Sequence, residues 1–396
     1  MDEAWMLGLG NYRLRHGIEP AHRLMARHLE KVRDIARRHG FAPMIWSDMY
    51  LCAASPTGEY YNAVDPIPEE VVRSVCEGVS LVYWDYFHED GQDYDRMLRL
   101  HRQFGGETMF AGGLWTWIGP APAQDKMRRA SIPALRACEK NGVDTVVGTA
   151  WGDNGAECSL LAALYGMQLY AEYNYTGVTD TDWLDARFLA CTGEPAAPFA
   201  LMSQFNTPPG VVSRDENPVN VSKFLLYEDP LIPLYARDTQ GMCFCDFYAD
   251  LAERFAAFRG QTPAFEKLYR FYEAFARLMA AKCRWRENLP ALCAETAGQG
   301  IALAQDCRAE IARCRLAWEA LWEQVNKPFG YEIIDLRLSG LDGRYETTLR
   351  KLERLRGGDT AVLALVREEK LRVLSDEEGR FYGIGAWSDC VSACKI

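Results

Sequence analysis

Carboxylates and tryptophans occupy the positions of this sequence that are best suited to chemistry. Asp2 and Glu3 stand side by side near the start of the chain, and tryptophan close to aspartate recurs further on. A carboxyl group can transfer protons as a general acid or base. An aromatic face packs well against apolar surface, and the C–H-rich face of a sugar ring is such a surface. Together these residue types indicate a carbohydrate ligand, with tryptophans of an ordinary packed core as the alternative.

Four short apolar runs carry the tryptophans, and each run ends in a polar cluster. The runs cover 41–48, 79–85, 109–117 and 143–153, and they contain Trp46, Trp84, Trp115 and Trp151. Stretches of helical period fill the gaps, as at 21–38 and 93–104. Apolar runs of this kind predict strands buried on both faces, and their alternation with helices predicts β/α units around a parallel sheet. Residues 41–155 should therefore form four adjacent parallel strands with helices outside.

The carboxyl ends of such strands are where barrel enzymes place their chemistry. We expect four carboxylates there to bind sugar hydroxyls and one tyrosine to supply a phenol donor: Asp48, Asp85, Asp153, Glu157 and Tyr83. The side chains expected to face the barrel interior include Met44, Val82, Val146 and Gly148. The Asp2–Glu3 pair lies 43 residues before Trp46, counted from Glu3. That interval fits the end of one more strand, whose body the sequence does not contain.

The pattern changes near residue 177, where strand-like runs give way to long helical periods. Leu268, Phe271, Phe275 and Leu278 recur at helical spacing, for example. We predict an α/β fold: residues 1–176 form the C-terminal half of a TIM-type (β/α)8 barrel, and residues 177–396 form a mainly α-helical domain. Residues 4–20 are predicted to be a loop, and Ser131 is predicted to cap a helix with Pro133 in its first turn.

Bulk composition excludes some classes of partner. The chain has 396 residues, a formal net charge of −11 and 25% charged residues, which indicates a globular protein. A net negative charge disfavours nucleic acid or an anionic membrane as the main partner, because both attract basic surfaces. The 13 cysteines are scattered without regular spacing, which predicts reduced thiols in a cytoplasmic protein. No run is long enough to span a membrane, and no signal peptide is visible.

Three motifs together resemble glycoside hydrolase family 20, the β-N-acetylhexosaminidases. Met1-Asp2-Glu3 matches the last three positions of the family's His-x-Gly-x-Asp-Glu motif, at the end of the fourth barrel strand. Tyr83-Trp84-Asp85 matches a Tyr-x-Asp at the sixth strand, and Trp151-Gly152-Asp153 matches a Trp-x-Glu at the eighth, with aspartate in place of glutamate. The segment 326–332 and the helices around it resemble the C-terminal helical domain of one branch of the family.

The resemblance implies hydrolysis in which the substrate's own 2-acetamido oxygen attacks the anomeric carbon. Glu3 would then be the general acid and base, and Asp2 would orient the acetamido N–H. The remaining residues would bind the substrate: Tyr83 through the acetamido oxygen, Asp85 and Asp153 through hydroxyls, Trp151 as the floor of the subsite, Trp46 as a wall of the acetamido pocket, and Trp115 with Trp117 at the rim. No metal or organic cofactor is implied. The expected partner is a glycan or glycoconjugate that contains N-acetylhexosamine.

The match begins only at the catalytic pair, so the His-x-Gly part of the motif, the first three strands and the family's first-strand arginine are not in this sequence. We expect the chain to be the C-terminal part of a longer enzyme, which leaves a signal peptide upstream open. We also expect residues 1–396 to be inactive alone and prone to form homo-oligomers through open sheet edges. The alternatives are another barrel glycosidase, or a non-catalytic carbohydrate-binding or scaffold protein.

Overall fold

The structure is a computed structural model that describes residues 3–384, so Asp2 lies outside the described residues. The chain packs as two compact units. Of the described residues, unit 1 contains 3–113 and 128–149, and unit 2 contains 114–127 and 150–384. The predicted division into domains at residue 176 stays a prediction. Each unit is described by itself below.

Unit 1 is built on a four-stranded parallel sheet. Its strands are β1 (Met44–Trp46), β2 (Ser80–Trp84), β3 (Thr108–Gly113) and β4 (Val146–Thr149), in the spatial order β1-β2-β3-β4. All three neighbouring pairs run parallel. This confirms the four adjacent parallel strands predicted within residues 41–155. Within the described residues, β1 and β4 are the edges of this sheet.

The two faces of the sheet carry different residues, because side chains alternate along a strand. One face packs into the core beneath the helices and includes Leu81, Tyr83 and Phe110. The register places Val146 beside Phe110 and Gly148 beside Gly112, so both belong to this helix-covered face. The prediction that Val146 and Gly148 face the barrel interior is therefore wrong. The apolar run around them gave no alternation from which to read their face.

The opposite face of the sheet carries the residues that alternate with that core. Met44, Trp46, Val82 and Trp84 lie on it, because the register pairs Met44 with Ser80 and Trp46 with Val82. Met44 is 40% exposed and Trp46 and Trp84 are half-buried, whereas Val82 is buried. This face is the one that a barrel would turn inward.

Helices alternate with the strands of unit 1. They are α1 (Asn11–His16), α2 (Ala21–Arg38), α3 (Asp48–Ala53), α4 (Glu69–Val72), α5 (Gly91–Arg102) and α6 (Gln124–Lys140), whose first residues belong to unit 2. Helix α2 has the predicted bounds, and its buried Met25 and Leu29 lie one turn apart. Residues 4–20 are not all loop, since α1 forms between Gly10 and Gly17. The predicted cap at Ser131 is also wrong, because α6 runs through Pro133.

Unit 2 consists of helices and loops within the described residues. Its helices are α7 (Leu164–Thr176), α8 (Thr181–Thr192), α9 (Ala197–Ser203), α10 (Val221–Tyr227), α11 (Cys245–Phe258), α12 (Glu266–Asn288), α13 (Ala297–Val325), α14 (Tyr331–Arg356) and α15 (Ala361–Arg367). Short 3₁₀ helices lie at Tyr60–Asn62 in unit 1 and at Leu160–Ala163, Gln204–Asn206 and Leu289–Ala291 in unit 2. Aromatic residues of α12 fill the core, with Phe275 stacked on Phe205 at 4.8 Å. None of the helices between residues 3 and 384 has the length and apolar character needed to cross a membrane.

Candidate functional site

Glu3 is placed beside the carboxyl end of β1 by a backbone hydrogen bond. Its N–H donates to Oδ2 of Asp48 at 2.8 Å, and Asp48 begins α3 two residues after β1 ends. Asp48 is fully buried, and its Oδ1 has no hydrogen-bond partner within residues 3–384. The Glu3 side chain is exposed. The residue predicted to be the general acid is therefore held next to a strand end, while its predicted partner Asp2 is not described.

Tyr83 and Asp85 hydrogen-bond to each other instead of presenting free groups. The Tyr83 hydroxyl donates to Oδ2 of Asp85 at 2.7 Å, and Nδ1 of His88 lies 2.7 Å from the same oxygen. Oδ1 of Asp85 accepts the N–H groups of Phe87 and His88. Both residues are buried, and burial, with the Asp85 carboxylate, raises the pKa of Tyr83 far above its usual range. Their arrangement stabilises the turn after β2.

An aromatic cluster lies on the other side of that strand end, around Trp84, which is one of the tryptophans of the predicted strand ends. Trp84 stacks on Tyr86 at 5.3 Å and packs against Tyr60 at 4.9 Å and Tyr61 at 6.3 Å. Nε1 of Trp84 and the Tyr61 hydroxyl are shielded from solvent and have no hydrogen-bond partner among the described residues. Such groups are rare in folded proteins. The signal in the sequence is alternation, because Tyr83 and Trp84 must point to opposite faces.

Trp115 and Trp117 are structural in unit 2. Their rings stack at 4.6 Å, and the ammonium of the buried Lys126 lies 5.9 Å from the centre of the Trp115 ring. Trp115 has no exposed surface, so the ring predicted to lie at the rim has no face open to a ligand in this structure. Its φ of 53° is in the left-handed region that residues other than glycine rarely adopt. The hydroxyl of Thr116 donates to the backbone carbonyl of Trp151 at 2.9 Å.

Trp151 and Asp153 are the exposed members of the predicted set in unit 2. Trp151 follows β4 by two residues along the chain and is 40% exposed, and Asp153 is exposed beside it. Glu157, which was expected to bind hydroxyls, is only 2% exposed. Its oxygens contact the side chains of Tyr227, Lys223 and Arg337. Glu157 is therefore part of the packing beneath the loop and not of its surface.

The predicted site residues thus fall into two groups. Unit 1 holds Glu3, Trp46, Tyr83 and Asp85, and unit 2 holds Trp115, Trp151 and Asp153. Within unit 1 the structure brings Glu3 to Asp48 and Tyr83 to Asp85. Within unit 2 it joins the two tryptophan-bearing loops through Thr116. All 11 cysteines among the described residues are free thiols, Cys243 and Cys245 included.

Comparison with known families matches the second half of the chain. The family model described as Glycoside Hydrolase 20C C-terminal domain covers residues 197–382, which include α9 to α15. A search of curated proteins finds no match. The family match confirms the resemblance to glycoside hydrolase family 20, in a branch with a C-terminal helical domain, and it supports a glycoside hydrolase in general. Residues 197–382 therefore match the C-terminal domain that is characteristic of the 20C group of family 20 glycoside hydrolases.

Proposed function

We propose that this protein acts as an exo-β-N-acetylhexosaminidase on terminal β-linked N-acetylglucosamine or N-acetylgalactosamine. The observation that carries the proposal is the match of residues 197–382 to the 20C domain. The parallel sheet supports it, because aromatic and carboxyl residues follow the carboxyl ends of its strands, as barrel enzymes require. The contact between Glu3 and Asp48 also supports it, since it holds a carboxyl-bearing residue at such an end.

The architecture in this proposal is a (β/α)8 barrel of which β1 to β4 are strands five to eight. Eight strands close such a barrel, and the described sheet has four with edges at β1 and β4. The face that bears Trp46 and Trp84 would then line the barrel. We propose that turnover requires further β/α units besides these four, because a catalytic acid needs placement to within about 0.5 Å by its surroundings.

The mechanism in this proposal depends on the substrate's acetamido group. Its carbonyl oxygen attacks the anomeric carbon while Glu3 protonates the departing oxygen, and an oxazolinium intermediate forms. Asp2 accepts the acetamido N–H and stabilises the positive charge. Glu3 then removes a proton from water, which opens the intermediate with overall retention of configuration. Family 20 enzymes are among the exceptions to the two-carboxylate scheme of most glycosidases.

Trp151 and Asp153 of unit 2 are proposed to contact the sugar. The donor to the acetamido oxygen has two candidates. Sequence matching gives Tyr83, whose hydroxyl donates to Asp85 on the helix-covered side of β2. The structure adds Tyr86, which stacks on Trp84. The Tyr83→Phe and Tyr86→Phe variants separate them: only the true donor should matter for recognition of the acetamido group.

Ligand-observed NMR on residues 1–396 tests the proposal without requiring turnover. Saturation transferred from the protein should reach the acetamido methyl group of N-acetylglucosamine or N-acetylgalactosamine, and glucose should receive much less. Trp151→Ala should reduce the transfer, whereas Trp183→Ala, at an exposed tryptophan of α8, should leave it unchanged. Equal transfer to glucose, or none to either amino sugar, contradicts the proposed function.

A further inference from the structure

The loop after β4, residues 150–157, has a backbone that would not hold its shape alone. Asn154, Gly155 and Ala156 all have φ in the left-handed region, at 57°, 110° and 51°. In residues other than glycine such conformations cost free energy. They persist where the surrounding structure enforces them, and they cluster at functional sites. The loop carries Trp151 and Asp153 on its exposed side. Its shape therefore decides where these two side chains lie.

Three side chains from the C-terminal domain contact Glu157 at the buried end of this loop. The Tyr227 hydroxyl of α10 donates to Oε1 at 2.6 Å, and Nη1 of Arg337 in α14 donates to the same oxygen at 2.8 Å. Nζ of Lys223, also in α10, lies 2.8 Å from Oε2. Glu157 and its three contacts are each at least 95% buried, since the most exposed of them, Arg337, has 5% of its surface exposed.

Arg337 also forms a direct hydrogen bond with the strained part of the loop. Its Nη1 donates to the backbone carbonyl of Asn154 at 2.6 Å. A side-chain carbon at Gly155 would lie 2.8 Å from that same nitrogen. The guanidinium therefore packs against the backbone at a position where an added side chain would be too close to it.

The charges of this cluster connect it to the exposed residues. Two buried cations face the single buried carboxylate of Glu157. Burial lowers the pKa of Lys223, while the Glu157 and Asp153 carboxylates oppose that shift. Asp153 therefore lies within electrostatic reach of the Lys223 ammonium, and its negative charge offsets the excess positive charge beneath the loop.

The loop after β3 is held by residues of α12, of α10 and of the position that precedes α10. Nδ2 of Asn220 donates to the carbonyl of Ile118 at 3.0 Å, and the Tyr272 hydroxyl donates to the carbonyl of Pro120 at 3.0 Å. The stem of Lys223 packs on Gly119, where an added side-chain carbon would come within 3.2 Å of it. Backbone carbonyls of this loop are thus satisfied by side chains from residues 197–382.

We propose that the C-terminal helical domain is a positioning part of the sugar site, in which Glu157, Lys223 and Arg337 fix the 150–157 loop and so the placement of Trp151 and Asp153. The role of that loop in sugar binding rests on the proposed function. Glu157, Lys223 and Arg337 are positioning residues, because they act through the loop and their buried atoms do not reach a ligand.

Hydrogen–deuterium exchange of residues 150–157 tests the positioning directly in the full chain. Arg337→Met keeps the length of the stem and removes the charge, so the amide of Ala156, bonded to the Gly152 carbonyl at 2.9 Å, should exchange roughly tenfold faster or more. Arg337→Lys should restore much of the protection. Tyr227→Phe removes one donor to Glu157 and should give a smaller increase, which keeps the test usable if Arg337→Met does not fold. Arg308→Met is the matched control, because it also removes an ion pair to α14. Nε of Arg308 lies 2.7 Å from Oδ1 of Asp342, and this pair does not include a residue of the loop.

Fluorine NMR of 5-fluorotryptophan protein gives a readout that general destabilisation would not produce. The Trp151 resonance, assigned with Trp151→Phe, should shift or broaden in Arg337→Met, return in Arg337→Lys and stay unchanged in Arg308→Met. Unchanged loop exchange and an unchanged Trp151 resonance in folded Arg337→Met or Tyr227→Phe would overturn the inference. A wild-type resonance that does not respond to N-acetylglucosamine would contradict the proposed function instead, while the exchange rates would still decide the positioning.

Discussion

Acidification should destabilise unit 1 through His101, whose ring is buried in α5 against Tyr83 at 4.9 Å. Nδ1 lies 2.7 Å from the carbonyl of Met97, and Nε2 lies 2.8 Å from Oγ of Ser47. A carbonyl only accepts, so Nδ1 carries the proton and Nε2 accepts from the Ser47 hydroxyl. Ser47 in turn lies 2.9 Å from the Tyr60 hydroxyl, which donates to it. A second proton on the ring would reverse this chain of donors.

The sign and size of the effect follow from the pKa of His101, which burial lowers to about 4 from its ordinary 6.5. Between these values the unfolded chain binds a proton that the folded chain does not. The contribution of the neutral His101 ring to the unfolding free energy is therefore fully present above pH 6.5, and it is lost as the pH falls toward 4. A shift of about 2.5 pH units corresponds to roughly 3 kcal/mol of unfolding free energy, at 1.36 kcal/mol per unit.

The measurement is the difference in unfolding free energy between the wild type and His101→Gln, which cannot titrate. Urea unfolding at several pH values, read by pulse-labelled hydrogen exchange in the peptide that contains α5, reports unit 1 separately. The advantage of the wild type should shrink by about 3 kcal/mol from pH 7 to pH 4. His28→Gln, at an exposed position of α2, is the matched control for the change of residue type. A constant difference for His101→Gln would refute the reasoning.

Three further predictions concern other parts of the chain. Glu3→Gln should lower the turnover of substrates with poor leaving groups by about 10²–10⁴-fold, and that of substrates with activated aryl leaving groups much less. The protein for this assay is expressed from its gene with any in-frame sequence before Met1. Equal losses on both substrates would exclude Glu3 as the acid. Asp238→Ala should lower the unfolding free energy by at least about 2 kcal/mol in urea titrations, because Oδ1 of this buried carboxylate accepts the N–H groups of Leu374 and Ser375. A loss below roughly 0.5 kcal/mol, which is the scatter at surface sites, would contradict that. Residues 1–396 should associate at micromolar concentration through the edges of β1 and β4, and a monomer by light scattering would count against exposed edges.

Strand order and the helical character of the second half could be predicted because each rests on a strong local pattern. The apolar runs and their intervals fixed four parallel strands, and apolar residues at helical spacing marked α12. The bounds of α2 also followed from the helical period at 21–38. The predicted helix start near Pro133 rested on one signal, the preference of proline for the first turn of a helix. Helix α6 instead begins before this residue and runs through it.

The direction of individual side chains could not be predicted, because an apolar run without alternation does not say which face a residue takes. Tyr83 matched a family motif but lies under the helices, and Trp84 beside it lies on the opposite face. Glu157 looked like a surface carboxylate, since its partners Tyr227 and Arg337 are 70 and 180 residues away in sequence. Contacts over such separations leave no local signal, so this buried cluster became visible only in the structure.

The most direct test of the central claim is the stereochemistry and acetamido dependence of hydrolysis. Aryl β-N-acetylglucosaminide would be incubated with protein expressed from its gene, including any in-frame sequence that precedes Met1, and followed by proton NMR. Participation of the acetamido group predicts that the β-anomer appears first and that the rate falls steeply as the acetamido methyl group is fluorinated, because fluorine makes the attacking oxygen less nucleophilic. An α-anomer as first product, or a rate indifferent to fluorination, would contradict participation of the acetamido group.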